Sequence, residues 1–99
     1  MTRTVPAFPK PLRRQAPEYL RWIRLQPCLV DHVVAQAHHT TAGGVGTKGS
    51  DYRTVPLCWR HHDELHRLGP YTFQGKYGLD FQEEIIRLLE RYVSALEEE

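Results

Sequence analysis

From Asp80 onward the apolar residues Phe81, Ile85, Leu88, Leu89, Tyr92 and Leu96 recur three or four positions apart. That spacing places them on one face of a helix. Asp80 followed by Glu83 is a capping-box pattern at its start. The stripe reads as a core face or a seam with a second copy. Upstream, "APEYLRWIRLQP" sets Tyr19, Leu20 and Ile23 along one side of a short helix, with Pro17 in its first turn and Pro27 stopping it. "HVVAQA" is β-branched and small, and reads as a strand ending at His38 and His39. "TTAGGVGTKGSD" has four glycines in twelve residues and reads as a loop. "YRTVPLC" reads as a second strand, in which Pro56, lacking an N–H, belongs at an edge or a strand end. "WRHHDELHRLGP" predicts a helix of about ten residues closed by Gly69 and Pro70, and "YTFQGKYG" a turn-rich link. Trp22 and Trp59 read as packing residues.

Composition narrows the class. A chain of 99 residues is one small domain with a modest core. No apolar run approaches the roughly 18 residues that cross a bilayer, and no stretch resembles a signal peptide. The expectation is a cytoplasmic protein with no membrane partner. Its net charge of +1 conceals a gradient. Arg3, Lys10, Arg13, Arg14, Arg21 and Arg24 face only Glu18 in residues 1–24, for a net +5. Six glutamates face Arg87 and Arg91 in residues 83–99, for a net −4. Residues 1–18, rich in proline and arginine, read as a basic arm suited to a polyanion such as nucleic acid.

The candidate chemistry lies in "LCWRHHDELH", with three of the six histidines and one of the two cysteines. Residues four apart on a helix are neighbours, so His62 and His66 can converge on one ion. His61 lies about 100° around the helix from His62 and pairs instead with Cys58 as a Cys-x2-His half-site. Cys28 is the other thiol, with Asp31 or His32 as a fourth donor. His38 or His39 can complete the set with His62 and His66. The H-E-x-x-H pattern of zinc proteases is absent, because Asp63 follows His62.

The order strand, HH, glycine loop, strand, Cys-x2-His, His-x3-His resembles the HNH (ββα-metal, His-Me finger) endonucleases. "AHHTT…KGSDYRTVPLCWRHHDELHRLG" is similar to the phage-type branch related to the recombination-enhancement nuclease. Its HH…H-x3-H set also resembles the colicin-type DNases. The resemblance covers about residues 19–80 and implies an α+β fold: a small ββα-metal, treble-clef-like, zinc-stapled core with flanking helices. Residues 81–99 would form a helix packed on that domain or at a homodimer seam. The implied activity is metal-dependent hydrolysis of DNA phosphodiester bonds with weak sequence preference. His39 matches the general base; His38, His62 and His66 match ligands of a catalytic Mg, Mn, Ni or Zn ion. Cys28, Cys58 and His61 match ligands of a structural zinc. Lys48 and Asp51 match a loop K-x-x-D, and Arg13, Arg14, Lys48 and Arg53 are expected on phosphates. Two positions depart from the pattern. Asp31 stands where a second cysteine is usual, and the chain has no asparagine, so Asp51 is assigned the middle position of HNH. Two other functions fit the same residues: a noncatalytic zinc-stapled nucleic-acid-binding module, and an RNase.

Overall fold

Pro17 supplies the fixed φ and missing N–H that suit a first helical turn, and α1 runs Pro17–Arg24. The helix ends before Pro27, with the Leu25 and Gln26 amides tied back to the carbonyls of Trp22 and Ile23. The computed structural model describes residues 15–40 and 49–98. Among them the chain is α+β, with four helices and one two-stranded sheet. None of these helices is long and apolar enough to cross a membrane.

The sheet pairs β1 (Gln36–His39) antiparallel with β2 (Thr54–Leu57), in the register Gln36 to Leu57, Ala37 to Pro56, His38 to Val55 and His39 to Thr54. β1 starts later than the β-branched run predicts. Val33 and Val34 lie outside it and are exposed, because the turn around Cys28 consumes this segment. There the Cys28 amide donates to the Val33 carbonyl and the His32 amide to the Cys28 carbonyl. β2 likewise excludes Tyr52, Arg53 and Cys58. All four of its residues are buried, and Pro56 is accommodated because both strands are edges. The Pro56 carbonyl accepts from the Leu29 amide, fastening the Cys28 turn to the sheet.

α2 (Trp59–Leu68) has the predicted ten residues and is closed by Gly69 at φ 84°. The expected turn-rich link is instead a helix, α3 (Pro70–Tyr77), capped by Gly78 in the left-handed conformation at φ 63°. Its sequence has no amphipathic period and contains Gly75, so local propensity argues against it. Three features overrule that: Pro70 at the first turn, Gly78 at the end, and Phe73 fully buried. α4 (Phe81–Glu97) is capped by Asp80, whose carboxylate accepts from the Gln82 and Glu83 amides. Phe81, Ile85 and Leu88 enter one core with Tyr19, Ile23, Val55, Leu57, Leu65 and Phe73, whereas Leu96 at the far end is exposed.

Candidate metal centres and catalytic pair

α2 presents two faces. On one, His61 is buried and faces Cys28, Asp31 and Cys58. Cys58 is the residue that caps α2, yet its side chain makes no capping hydrogen bond. The thiol points into the cluster, 3.1 Å from His61 Nδ1 and 3.3 Å from Asp31 Oδ2. Cys28 Sγ lies 3.8 Å from the same Nδ1, Asp31 Oδ2 3.3 Å from it, and the Val30 amide donates to Cys28 Sγ. Hydrogen bonding from the Cys28 thiol, aided by Cys58 and Val33 and opposed by burial, holds the Asp31 carboxyl below its ordinary range. Burial pushes the Cys58 thiol up, and Asp31 and Cys28 add to it, against a backbone contact at His61.

This donor set fits a zinc-like ion. Two sulfurs, a carboxylate oxygen and an imidazole nitrogen are the donors zinc takes, and tetrahedral bonds of ordinary length separate such donors by about 3.3–3.8 Å. The four separations just given span 3.1–3.8 Å. Asp31, not His32, lies among the clustered donor atoms. His32 is exposed and carries a left-handed φ of 62°, which turns the chain back after Asp31. The cluster is braced from α3, where the Tyr77 ring packs edge-on against His61 at 5.5 Å. The Tyr77 hydroxyl donates to Glu64, and Lys76 Nζ lies 2.6 Å from that carboxylate, holding it below its usual range. The brace depends on α3 being a helix, where the sequence pattern predicts a turn-rich link.

On the other face, His62 Nε2 lies 2.8 Å from His38 Nδ1 and 2.9 Å from His66 Nε2. A single proton on His62 Nε2 can satisfy only one of those neighbours. A cation among the three nitrogens satisfies all. Nitrogens about 2.9 Å apart suit adjacent positions of an octahedral ion with bonds of 2.0–2.1 Å. Burial, then the proximity of His62, His66 and His39, pushes His38 down to about 4. Burial and His66 also lower His62. Both rings are therefore neutral at pH 7, with lone pairs available for a metal. Of the two strand histidines, His38 joins this set and His39 does not.

His39 has its own partner. The turn Ser50–Arg53 is closed by the Arg53 amide on the Ser50 carbonyl and by the Thr54 hydroxyl on the Asp51 carbonyl. It presents Asp51 Oδ1 2.7 Å from His39 Nε2, while Oδ2 accepts from the Ala16 amide at 2.7 Å. Asp51 thus fixes the proton of His39 on Nε2 and leaves Nδ1 with its lone pair. Arg53 is exposed beside this turn. Arg13, Arg14 and Lys48 lie outside the described residues, as do most of the glycine loop and the basic arm. Trp59, expected to pack, is 71% exposed instead, because it lies about 200° around α2 from the buried His61.

Residues 4–95 match the model of a family described as a protein of unknown function, DUF968. The chain belongs to this family. Over 88 residues it is 39% identical to the uncharacterized protein YdfU of Escherichia coli (strain K12). That match covers 85% of this chain and 25% of the relative, so the chain spans about a quarter of the relative's length. No solved structure matches. Neither description names an activity, so the reading of function rests on the side chains.

Proposed function

We propose that this domain is a metal-dependent endonuclease of the HNH, ββα-metal type that hydrolyses phosphodiester bonds, with DNA as substrate. The observation that carries the reading is the juxtaposition of His38, His62 and His66 around one point with a His39–Asp51 pair on the adjoining strand position. His38, His62 and His66 would hold a divalent Mg, Mn, Ni or Zn ion, and Cys28, Asp31, Cys58 and His61 a structural zinc. When bound at the three histidines, a divalent ion supplies positive charge for the phosphate and the departing oxygen.

The chain's own part is acid–base chemistry and positioning. Asp51 orients His39, whose Nδ1 takes a proton from water as the water oxygen bonds to phosphorus. The P–O bond to the leaving oxygen then breaks, and solvent protonates that oxygen. Imidazole ligands carry no negative charge, so none of them would cancel the charge delivered to the phosphate. Arg53, with Arg13, Arg14 and Lys48, would pair with flanking phosphates, a backbone reading with weak sequence preference.

The test is nicking of supercoiled plasmid in each of Mg²⁺, Mn²⁺, Ni²⁺ and Zn²⁺, with a structured RNA run beside it. Cleavage of the plasmid is expected, and His39→Ala should lower its rate by about 10²- to 10⁴-fold. An intact plasmid in every metal, or a His39→Ala variant as active as the parent, overturns the reading; cleavage of RNA alone replaces the substrate.

A further inference from the structure

Trp59 is 71% exposed, and its place on α2 is specific. Residues three apart, and seven apart, share a helix face. Trp59, His62 and His66 are therefore in line, with the indole one turn N-terminal to the metal-facing rings. His61, which packs inward, lies on the other side. Gln36, two residues before His38 and so on the same side of β1, is exposed as well. Beyond the histidines, at the N-terminal end of α2, the exposed indole makes no ring contact among the described residues. Arg60, the next residue on α2, reaches the other way, its guanidinium 3.8 Å from Asp31 Oδ2.

An indole left in water forgoes the burial that usually holds tryptophan in a fold. What it offers there is a flat π-face one helical turn from where a phosphodiester would be cut. We propose that Trp59 is a specificity-determining residue: a platform on which an unpaired nucleobase adjacent to the scissile phosphate stacks. The site then favours single-stranded or locally unpaired nucleic acid over continuous duplex. This inference rests on the nuclease reading of the histidine site. Stacking is available only to a base that has left its pair, which is how the indole discriminates between strands. Ribose and deoxyribose strands offer the same π-face, so the platform itself does not choose between them.

The experiment measures binding by anisotropy of labelled 12-nucleotide single-stranded DNA, single-stranded RNA and duplex DNA of one sequence. The proteins are the parent, Trp59→Phe and Trp59→Ala, each checked by thermal melting. Trp59→Ala should weaken single-strand binding by about 5- to 150-fold, the range for losing one stacked base. Its duplex affinity should change by less than about twofold, and Trp59→Phe should retain most of the single-strand affinity. DNA and RNA arms that respond equally assign the contact to the base; a response of one alone adds a sugar contact to the platform. Equal loss on single strand and duplex, or no loss on either, overturns the proposal. So does a Trp59→Ala variant that changes only the sedimentation of the free protein, which would make the indole a protein contact. If the parent binds none of the three, the nucleic-acid reading of the whole site has failed; if it binds and Trp59→Ala binds as well, only the platform falls.

Discussion

Cys58 and His61 leave α2 toward the core, while His62 and His66 leave it toward solvent, and the two environments differ in burial, charge and bracing. The inner cluster has two thiols and a carboxylate within reach of one imidazole. It is fastened to the sheet through Leu29 and Pro56 and buttressed by Tyr77. The outer cluster has three imidazole donors, two partly buried and one exposed, carried by β1 and α2. Closed, charged donor sets suit an ion that stays; open, neutral sets suit an ion that must also meet a substrate. A single ten-residue helix can carry both because consecutive residues His61 and His62 point about 100° apart.

The sharpest way to break this contrast is to exchange the consequences. His62→Ala should lower plasmid cleavage by at least about 100-fold. It should move the melting temperature by less than about 4 °C, as expected for less than about 1 kcal/mol in a domain of this size. Cys28→Ser should instead lower the melting temperature by more than about 10 °C, because binding at a structural site is folding free energy. Calorimetry beside the nicking assay reads both. If both substitutions unfold the protein, or neither does, the division of labour is wrong.

Chelation sharpens the same point on a time axis. With the ion-loaded protein in excess EDTA, cleavage should vanish quickly. Thermal stability should decay at least about tenfold more slowly, since the inner ion is released only through local opening. Simultaneous loss of both would merge the clusters into one unit.

A smaller effect concerns protons. In the metal-free protein His38 is depressed to about 4 from the ordinary 6.5. Between those values the unfolded chain holds a proton that the native chain lacks, so native stability rises with pH across that window and falls as pH drops toward 4. Urea denaturation of metal-free protein from pH 4 to 7 should show this slope. His38→Gln should flatten it, and an unchanged slope would remove His38 as its source.

The smallest expected change is at Asp31. Asp31→Cys supplies a third thiolate to the inner ion and should raise the melting temperature by a few degrees, about 0.5–1 kcal/mol. A fall would mean that the carboxylate is there for Arg60 or for the turn and not for an ion.

Much of this was legible in the chain because helical period is a strong signal. α2, α4 and the divergent headings of His61 and His62 follow from spacing alone. Other parts depend on contacts that no local pattern encodes. α3 forms because Phe73 has a core to enter, and β1 begins late because the Cys28 turn takes the preceding valines. The choice of Asp31 over His32 is made by a left-handed backbone at His32, and that of His38 over His39 by which ring reaches His62. Asp51 could be assigned to the loop from sequence, but its bridge between His39 and the Ala16 amide required the fold. Trp59 went the other way. Its aromatic character suggested packing, and only the geometry puts it in water beside the histidines.

The central claim is that one helix holds two ions in two different ways. Metal content by elemental analysis of protein loaded with Zn²⁺ and desalted tests it most directly. The account predicts two equivalents per chain in the parent, one in His62→Ala, and one in a Cys28→Ser, Cys58→Ser double variant kept folded at low temperature. A parent that binds a single equivalent, or a His62→Ala variant that still binds two, would contradict it.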